Sequence, residues 1–122
     1  MSNTQDCIMK LREQIPGIDM EQALVFCMGS EEFYLEVLGD YCNSGRVSKL
    51  DDYFNQKDWD NYRVEVHGLK STSRTVGLME LGSAAEKLEM ACKEGNFAYV
   101  EENHLSFAAQ VCEIMETIKG CI

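Results

Sequence analysis

Proline occurs once in this 122-residue chain, at Pro16, and histidine only twice, at His67 and His104. One proline near the start leaves the remainder free to form unbroken helices. No apolar stretch approaches the ~18 residues that a membrane span needs, so a membrane is not an expected partner. The opening MSNTQDCIMKLREQ lacks the basic-then-apolar layout of a secretory signal, and the expected compartment is the cytoplasm. Basic residues are scarce, with 11 Lys and Arg against 21 Asp and Glu, a net charge of −10. Such a chain repels phosphate backbones and anionic lipid, which argues against nucleic acid. CxxC spacing is missing among Cys7, Cys27, Cys42, Cys92, Cys112 and Cys121. Most of these lie in apolar helical stripes, so free buried thiols are expected rather than disulfides, and no Cys/His cluster is tight enough for zinc. Period-two alternation of the kind strands show is also absent.

What is present is a 3.6-residue apolar period over nearly the whole chain. A first helix is predicted over about 3–14, with Cys7 or Ile8, Leu11 and Ile15 on one face, ended by Pro16 and Gly17. Asp19 caps a second short helix lined by Met20, Leu24 and Cys27, with Gln22 completing a capping-box pattern, and Gly29 closes it. Ser30 caps the next, with Glu31 and Glu32 in its first turn. Its stripe of Leu35, Leu38 and Cys42 resumes after Asn43–Gly45 with Val47, Leu50 and Phe54, and predicts one kinked helix over 31–56. Three further helices are predicted: 58–74 behind Asp58, 78–94 ending at Gly95, and 97–119 behind Asn96. Long amphipathic segments joined by short turns run antiparallel. The fold expected is an all-α, up-down four-helix bundle over 30–119, with the short helices of 1–29 packed at one end, and 1–122 forming a single domain.

A bundle alone does not name a function. The informative feature is one face of the predicted helix 58–74, where Arg63, His67, Lys70 and Arg74 recur at helical spacing. The buried stripe runs through Val66 and Leu69, and His67 stands ~100° round from Val66, at the edge of the buried face or outside it. Residues 63–76 carry a local charge of +2, so the remainder carries −12. A cationic patch centred on a histidine, in an acidic protein, is a place for an anion. Neutral imidazole is a nitrogen nucleophile near neutral pH, able to take a phosphoryl group on one nitrogen when the other is held by a hydrogen bond. Lys70, one turn on, can neutralise incoming charge. The small-residue run Gly68, Ser71, Thr72, Ser73 offers a low surface for a partner, and Gly68 costs up to ~1 kcal/mol of helix propensity relative to alanine. The plainer alternative is a solvated cationic face that only aids solubility.

The segment Val66-His67-Gly68-Leu69-Lys70-Ser71-Thr72-Ser73-Arg74-Thr75-Val76-Gly77-Leu78 resembles the signature of histidine-containing phosphotransfer (HPt) domains, H-x-L-K-G followed by small residues, an apolar residue and glycine. Leu81, Leu88 and Glu89 continue that pattern. The lead-in Gly17-Ile18-Asp19, with Glu21, Ala23 and Leu24, and then Ser30-Glu31-Glu32-Phe33-Tyr34, is similar too, so the likeness spans about 15–118. The resemblance implies a four-helix bundle with His67 as phosphoacceptor, Lys70 as phosphate neighbour and Glu89 holding the second ring nitrogen. Arg63, Gly68, Ser71, Arg74 and Gly77 are the further candidate binding residues. The chain departs from the family at Ser71, where glycine is usual, and at Arg74, where a small residue is common. The implied partners are response-regulator receiver domains and a hybrid histidine kinase. The chain itself is expected to need no cofactor or metal, the receiver bringing Mg²⁺. It is expected to be a phosphoryl carrier rather than an enzyme, and a stand-alone module, an excised part of a larger kinase being the alternative.

His104 lies on the apolar stripe of the last helix and is expected in the core or at its boundary, as are Trp59 and Tyr62. Met28, Met79, Met90 and Met115 are expected as gap-fillers. The apolar face of the N-terminal helices, with Leu11, Ile15, Met20 and Leu24, either caps the bundle or forms a platform for a receiver. The rival function is a non-catalytic interaction module that binds a receiver or another protein without carrying phosphate. A metal- or oxygen-binding bundle would need more inward His and Glu than His67 and His104 supply.

Overall fold

The computed structural model describes residues 3–122, so Met1 and Ser2 of the predicted 1–29 segment lie outside the described residues. Seven helices follow in order among the described residues: α1 (Thr4–Gln14), α2 (Met20–Phe26), α3 (Glu31–Cys42), α4 (Arg46–Asn55), α5 (Trp59–Thr75), α6 (Met79–Lys93) and α7 (Phe97–Cys121). The predicted caps are made: Asp19, Ser30, Asp58 and Asn96 each accept a backbone N–H from three residues on, through side-chain oxygens at 3.1–3.3 Å. Among the described residues, no helix is long and apolar enough to cross a membrane.

The core is continuous. Leu38, Leu50, Tyr62, Val66, Leu69, Leu81, Leu88, Val100, Val111 and Ile118 are all buried in it. Helix α5 packs most extensively on α6, α6 on α7, α4 against α5 and α7, and α3 against α7. The bundle therefore has four arms: α3 with α4, then α5, α6 and α7. Helices α1 and α2 close the end where α5 turns into α6, with the Asp19 amide donating to the Gly77 carbonyl at 2.8 Å.

The predicted single helix over 31–56 is two helices. Gly45 takes φ +71°, a left-handed conformation that ends α3's reach and opens α4 without any side-chain cap. The apolar period runs straight across this break, which is why the pattern shows a pause rather than a stop. Helix α4 is then fastened from inside. Its Asp51 carboxylate lies 2.7 Å from Nε2 of buried His104, whose Nδ1 lies 3.0 Å from the Tyr62 hydroxyl. A carboxylate only accepts, so Nε2 carries the proton and the Tyr62 hydroxyl donates to Nδ1. The His104 ring stacks on Phe54 at 4.1 Å.

Helix α3 is tied to the end of α5 by two tyrosines. The Tyr34 hydroxyl donates to the Val76 carbonyl, and the Tyr41 hydroxyl meets Ser73 Oγ, both at 2.8 Å. Gly77 stands in the turn beyond, at φ +90°, and a Cβ there would sit 2.6 Å from the Asp19 carbonyl oxygen. Both the dihedral and the contact are with backbone, so nothing flexible can give way. Gly77→Ala is expected to cost about 2 kcal/mol. That is a fall of roughly 8 °C in melting midpoint for a domain of this size, checked by thermal unfolding followed by circular dichroism.

The apolar face of the N-terminal helices turns inward, with Leu11, Ile15 and Met20 buried and Leu24 half-buried. A different set, Val25, Phe26, Met28 and Phe33, faces out. Met28 is 88% exposed, so it does not fill a gap as predicted, and Met90 is exposed too, while Met115 is buried. Met28 follows the last turn of α2 at φ 54°, a turn conformation that swings its side chain away from the core. All six cysteines are free; four are buried, Cys92 is partly so, and Cys112, one position beyond the buried Val111, is exposed rather than buried. Tyr62 is fully buried and Trp59 half-buried, stacked on Phe97 at 5.1 Å.

Candidate functional site

Helix α5 turns its Tyr62, Val66, Leu69 and Ser73 stripe into the core. That placement sets the direction of everything else on the helix. His67, one position past Val66, emerges on the flank towards α6 with a side chain 57% exposed. Its Nδ1 lies 2.6 Å from Oε2 of Glu89. Glu89 follows the core residue Leu88 on α6, and its side chain is only 5% exposed. The carboxylate is acceptor-only, so Nδ1 bears the hydrogen, and Nε2 carries the free lone pair. The buried acid thus fixes both the tautomer and the tilt of an exposed ring.

The same carboxylate serves two lysines. Lys70 Nζ donates to Oε1 at 2.6 Å, and Lys93 Nζ, one turn along α6, lies 3.6 Å from Oε2. Burial pushes the Glu89 carboxyl up, but the hydrogen bonds from Lys70 and His67, with the Lys70 charge, outweigh it and hold the group below its ordinary value. Arg63 is half-buried and lines a shallow depression with Val64, His67, Glu89 and Lys93. Glu89 thus bridges His67 and Lys70, with Arg63 beside His67.

The remaining predicted residues fare differently. Ser71 is exposed one turn after His67. Thr72 and Thr75 turn their hydroxyls back to the carbonyls of Gly68 and Ser71 at 2.9 Å, and Ser73 is buried. Arg74 is not a free cation: it pairs with Glu86 at 2.8 Å, and its stem lies against Gly82. Gly77 is buried under the start of α2, where it acts on the fold. Gly68 does not present an open surface either. The Arg46 guanidinium, reaching over from α4, lies against it so closely that a Cβ there would collide with Nη1 and sit 2.8 Å from Cζ.

Sequence reasoning missed Lys93 and Arg46. Lys93 was legible as the i+4 partner of Glu89. Arg46 gave no local signal, because its partners come from another helix. Arg46 Nη1 pairs with Glu65 Oε1 at 3.2 Å, with both side chains partly exposed. A pair of that kind is worth about 0–1 kcal/mol. Against it stand about 1 kcal/mol for glycine in place of alanine at 68, and a few tenths of a kcal/mol for a cation in the first turn of α4, at the positive end of the helix dipole. The Arg46–Gly68 arrangement is therefore neutral at best for stability.

Comparison with curated proteins and with solved structures returned no significant match. The family model of the Hpt domain matches residues 3–120. With nearly the whole chain matched, an all-helical bundle throughout, and an exposed histidine on its flank, the chain belongs to the Hpt domain family, the phosphotransfer carriers of two-component phosphorelays.

Proposed function

We propose that this protein is a cytoplasmic phosphorelay carrier in which His67 accepts a phosphoryl group from the aspartyl phosphate of one receiver domain and passes it to the aspartate of another. The observation that carries this reading is the short bond from buried Glu89 to Nδ1 of an exposed ring. It leaves Nε2 nucleophilic and pointed away from α6. In the transfer, the Nε2 lone pair attacks phosphorus, an Nε2–P bond forms and the acyl P–O bond breaks. The receiver aspartate leaves as carboxylate with the bonding electron pair. The ring becomes cationic as it is phosphorylated, and Glu89, still accepting from Nδ1–H, neutralises that charge. Reversal of the same steps delivers the group to the next receiver. The carrier supplies nucleophile, tautomer and charge.

Lys70 has three N–H donors and gives one to Glu89. The others are available to phosphoryl oxygens as charge develops. Lys70→Ala is expected to slow transfer by on the order of 10-fold or more, with helix content by circular dichroism unchanged. Unchanged rates would remove Lys70 from the mechanism. Ser71, exposed beside His67, puts a hydroxyl where the family has glycine and can donate to the same oxygens.

The reading is tested by mixing the protein with several phosphorylated receiver domains and following label onto this chain. Acid-labile, base-stable label supports it. Binding to a receiver with no label transferred from any of them favours the interaction module instead.

A further inference from the structure

We propose that Arg46 is a second phosphoryl-binding cation, holding the group on His67 from the flank opposite Lys70. This rests on the reading of His67 as phosphoacceptor. Around the α5 axis, each residue advances ~100°. His67 leans towards α6 and Gly68 towards α4, and the exposed ridge of Val64 and Ser71 lies between them. Lys70, Lys93 and Arg63 stand on the α6 flank with His67. Arg46 reaches in from α4 and is seated on Gly68, the residue next to the nucleophile. To reach a phosphoryl group on Nε2, the Arg46 side chain extends across that ridge from its seat on Gly68.

Three features point to binding rather than to folding. Gly68 has no side chain, and so leaves room for a guanidinium that alanine would displace from its present seat. Arg46 occupies the first turn of an uncapped helix, the worst place there for a cation. Its ion pair with Glu65 uses one N–H of five, leaving Nε–H and the Nη2 donors for an anion. Glu65 thereby holds the guanidinium beside Gly68 without saturating it. Asp51 and His104 hold α4 in place so that its first residue reaches α5.

The test uses phosphoramidate, a small donor that phosphorylates imidazole without a receiver. The Nε2 lone pair forms the Nε2–P bond as the P–N bond breaks, and the nitrogen of the donor, already protonated to –NH₃⁺, takes the bonding pair and leaves as ammonia. Uptake at His67 is measured in wild type, Arg46→Ala, Arg46→Lys, Gly68→Ala and the Arg46→Ala/Gly68→Ala double variant. Arg46→Ala is expected to lower the rate about 10-fold, with Arg46→Lys regaining part of it because charge is kept but the fork is lost. Gly68→Ala, a change that favours helix, should reproduce the loss and add nothing in the Arg46→Ala background. The Arg46 Nε–H cross-peak, identified by its disappearance in Arg46→Lys, should move downfield when His67 is phosphorylated, and stay put in Gly68→Ala.

An unchanged rate in Arg46→Ala overturns the proposal. A lowered rate with the cross-peak stationary gives Arg46 a structural role and also overturns it. Loss of transfer from receivers alone, with phosphoramidate uptake unchanged, makes Arg46 a docking contact and overturns it as well. In each of these cases the wild type is still labelled at His67, so the carrier reading stands. A wild type that takes no phosphoryl at His67 from phosphoramidate or any receiver removes both.

Discussion

Replacement of His67 by glutamine is expected to abolish phosphoryl uptake while leaving the protein folded. Deleting a nucleophile removes the step itself, and a loss of more than about 10³-fold is the expected scale. The fold should hold because the His67 ring is largely exposed and makes one bond inward, to Glu89. A glutamine amide can donate to the same Oε2, and Lys70 still occupies Oε1. Stability should therefore change by no more than about 0.5 kcal/mol. The check is label transfer from a phosphorylated receiver, run beside thermal unfolding of both proteins. Label persisting on His67→Gln would place the acceptor elsewhere. The buried His104, closed in by Tyr62, Asp51 and Phe54, offers no accessible nitrogen.

The second large effect belongs to Glu89. Glu89→Ala removes the acceptor that fixes the His67 tautomer and the counter-charge to a phosphorylated ring. Loss of an orienting partner of this kind typically costs 10–100-fold, and a fall of about 100-fold in transfer is expected here. Lys70, itself mostly buried, would lose its partner as well, so stability should drop by about 2 kcal/mol. Glu89→Gln separates the two effects. One amide oxygen can accept from His67 or from Lys70 but not fully from both, and it carries no charge. It should keep most of the fold and fall between wild type and Glu89→Ala in rate.

Acid should report the same group. The folded Glu89 carboxyl titrates below its ordinary value of 4.5, because Lys70 and His67 outweigh its desolvation. The folded state thus binds fewer protons there than the unfolded chain does. The stabilisation is fully present above the unfolded value, and is lost as pH falls through the lower folded one. Stability of the wild type relative to Glu89→Gln should therefore shrink below about pH 4.5, and be constant above it as far as Glu89 is concerned. A difference that stays constant through the acid range would mean that Glu89 is not held ionised by its neighbours.

Much of this was legible in the sequence, for reasons that are local. Asp19, Ser30, Asp58 and Asn96 act within one turn of themselves, so their caps could be read directly. The Val66–Leu69 stripe sets which way His67 faces, and Glu89 inherits its place from Leu88 in the same way. What stayed hidden depends on residues far apart in the chain. The apolar period spans residues 43–45 unbroken, so only the left-handed turn at Gly45 reveals two helices there. That turn carries Arg46 across to Gly68, which changes Gly68 from an open approach into a seat for a guanidinium. His104 could be placed in the core from its stripe, but not its bond to Asp51, 53 residues earlier. The outward turn of Met28 depends on a backbone angle that no spacing pattern encodes.

The central claim is that a buried carboxylate holds Nδ1 of His67 and so makes Nε2 the nucleophile. Phosphorylation of protein carrying ¹⁵N-labelled histidine, read by nitrogen–phosphorus coupling, tests it most directly. The expected result is a one-bond coupling to Nε2 of His67, with Nδ1 still protonated and bonded to Glu89. A phosphoryl group found on Nδ1 of His67, or on any other residue, would contradict it.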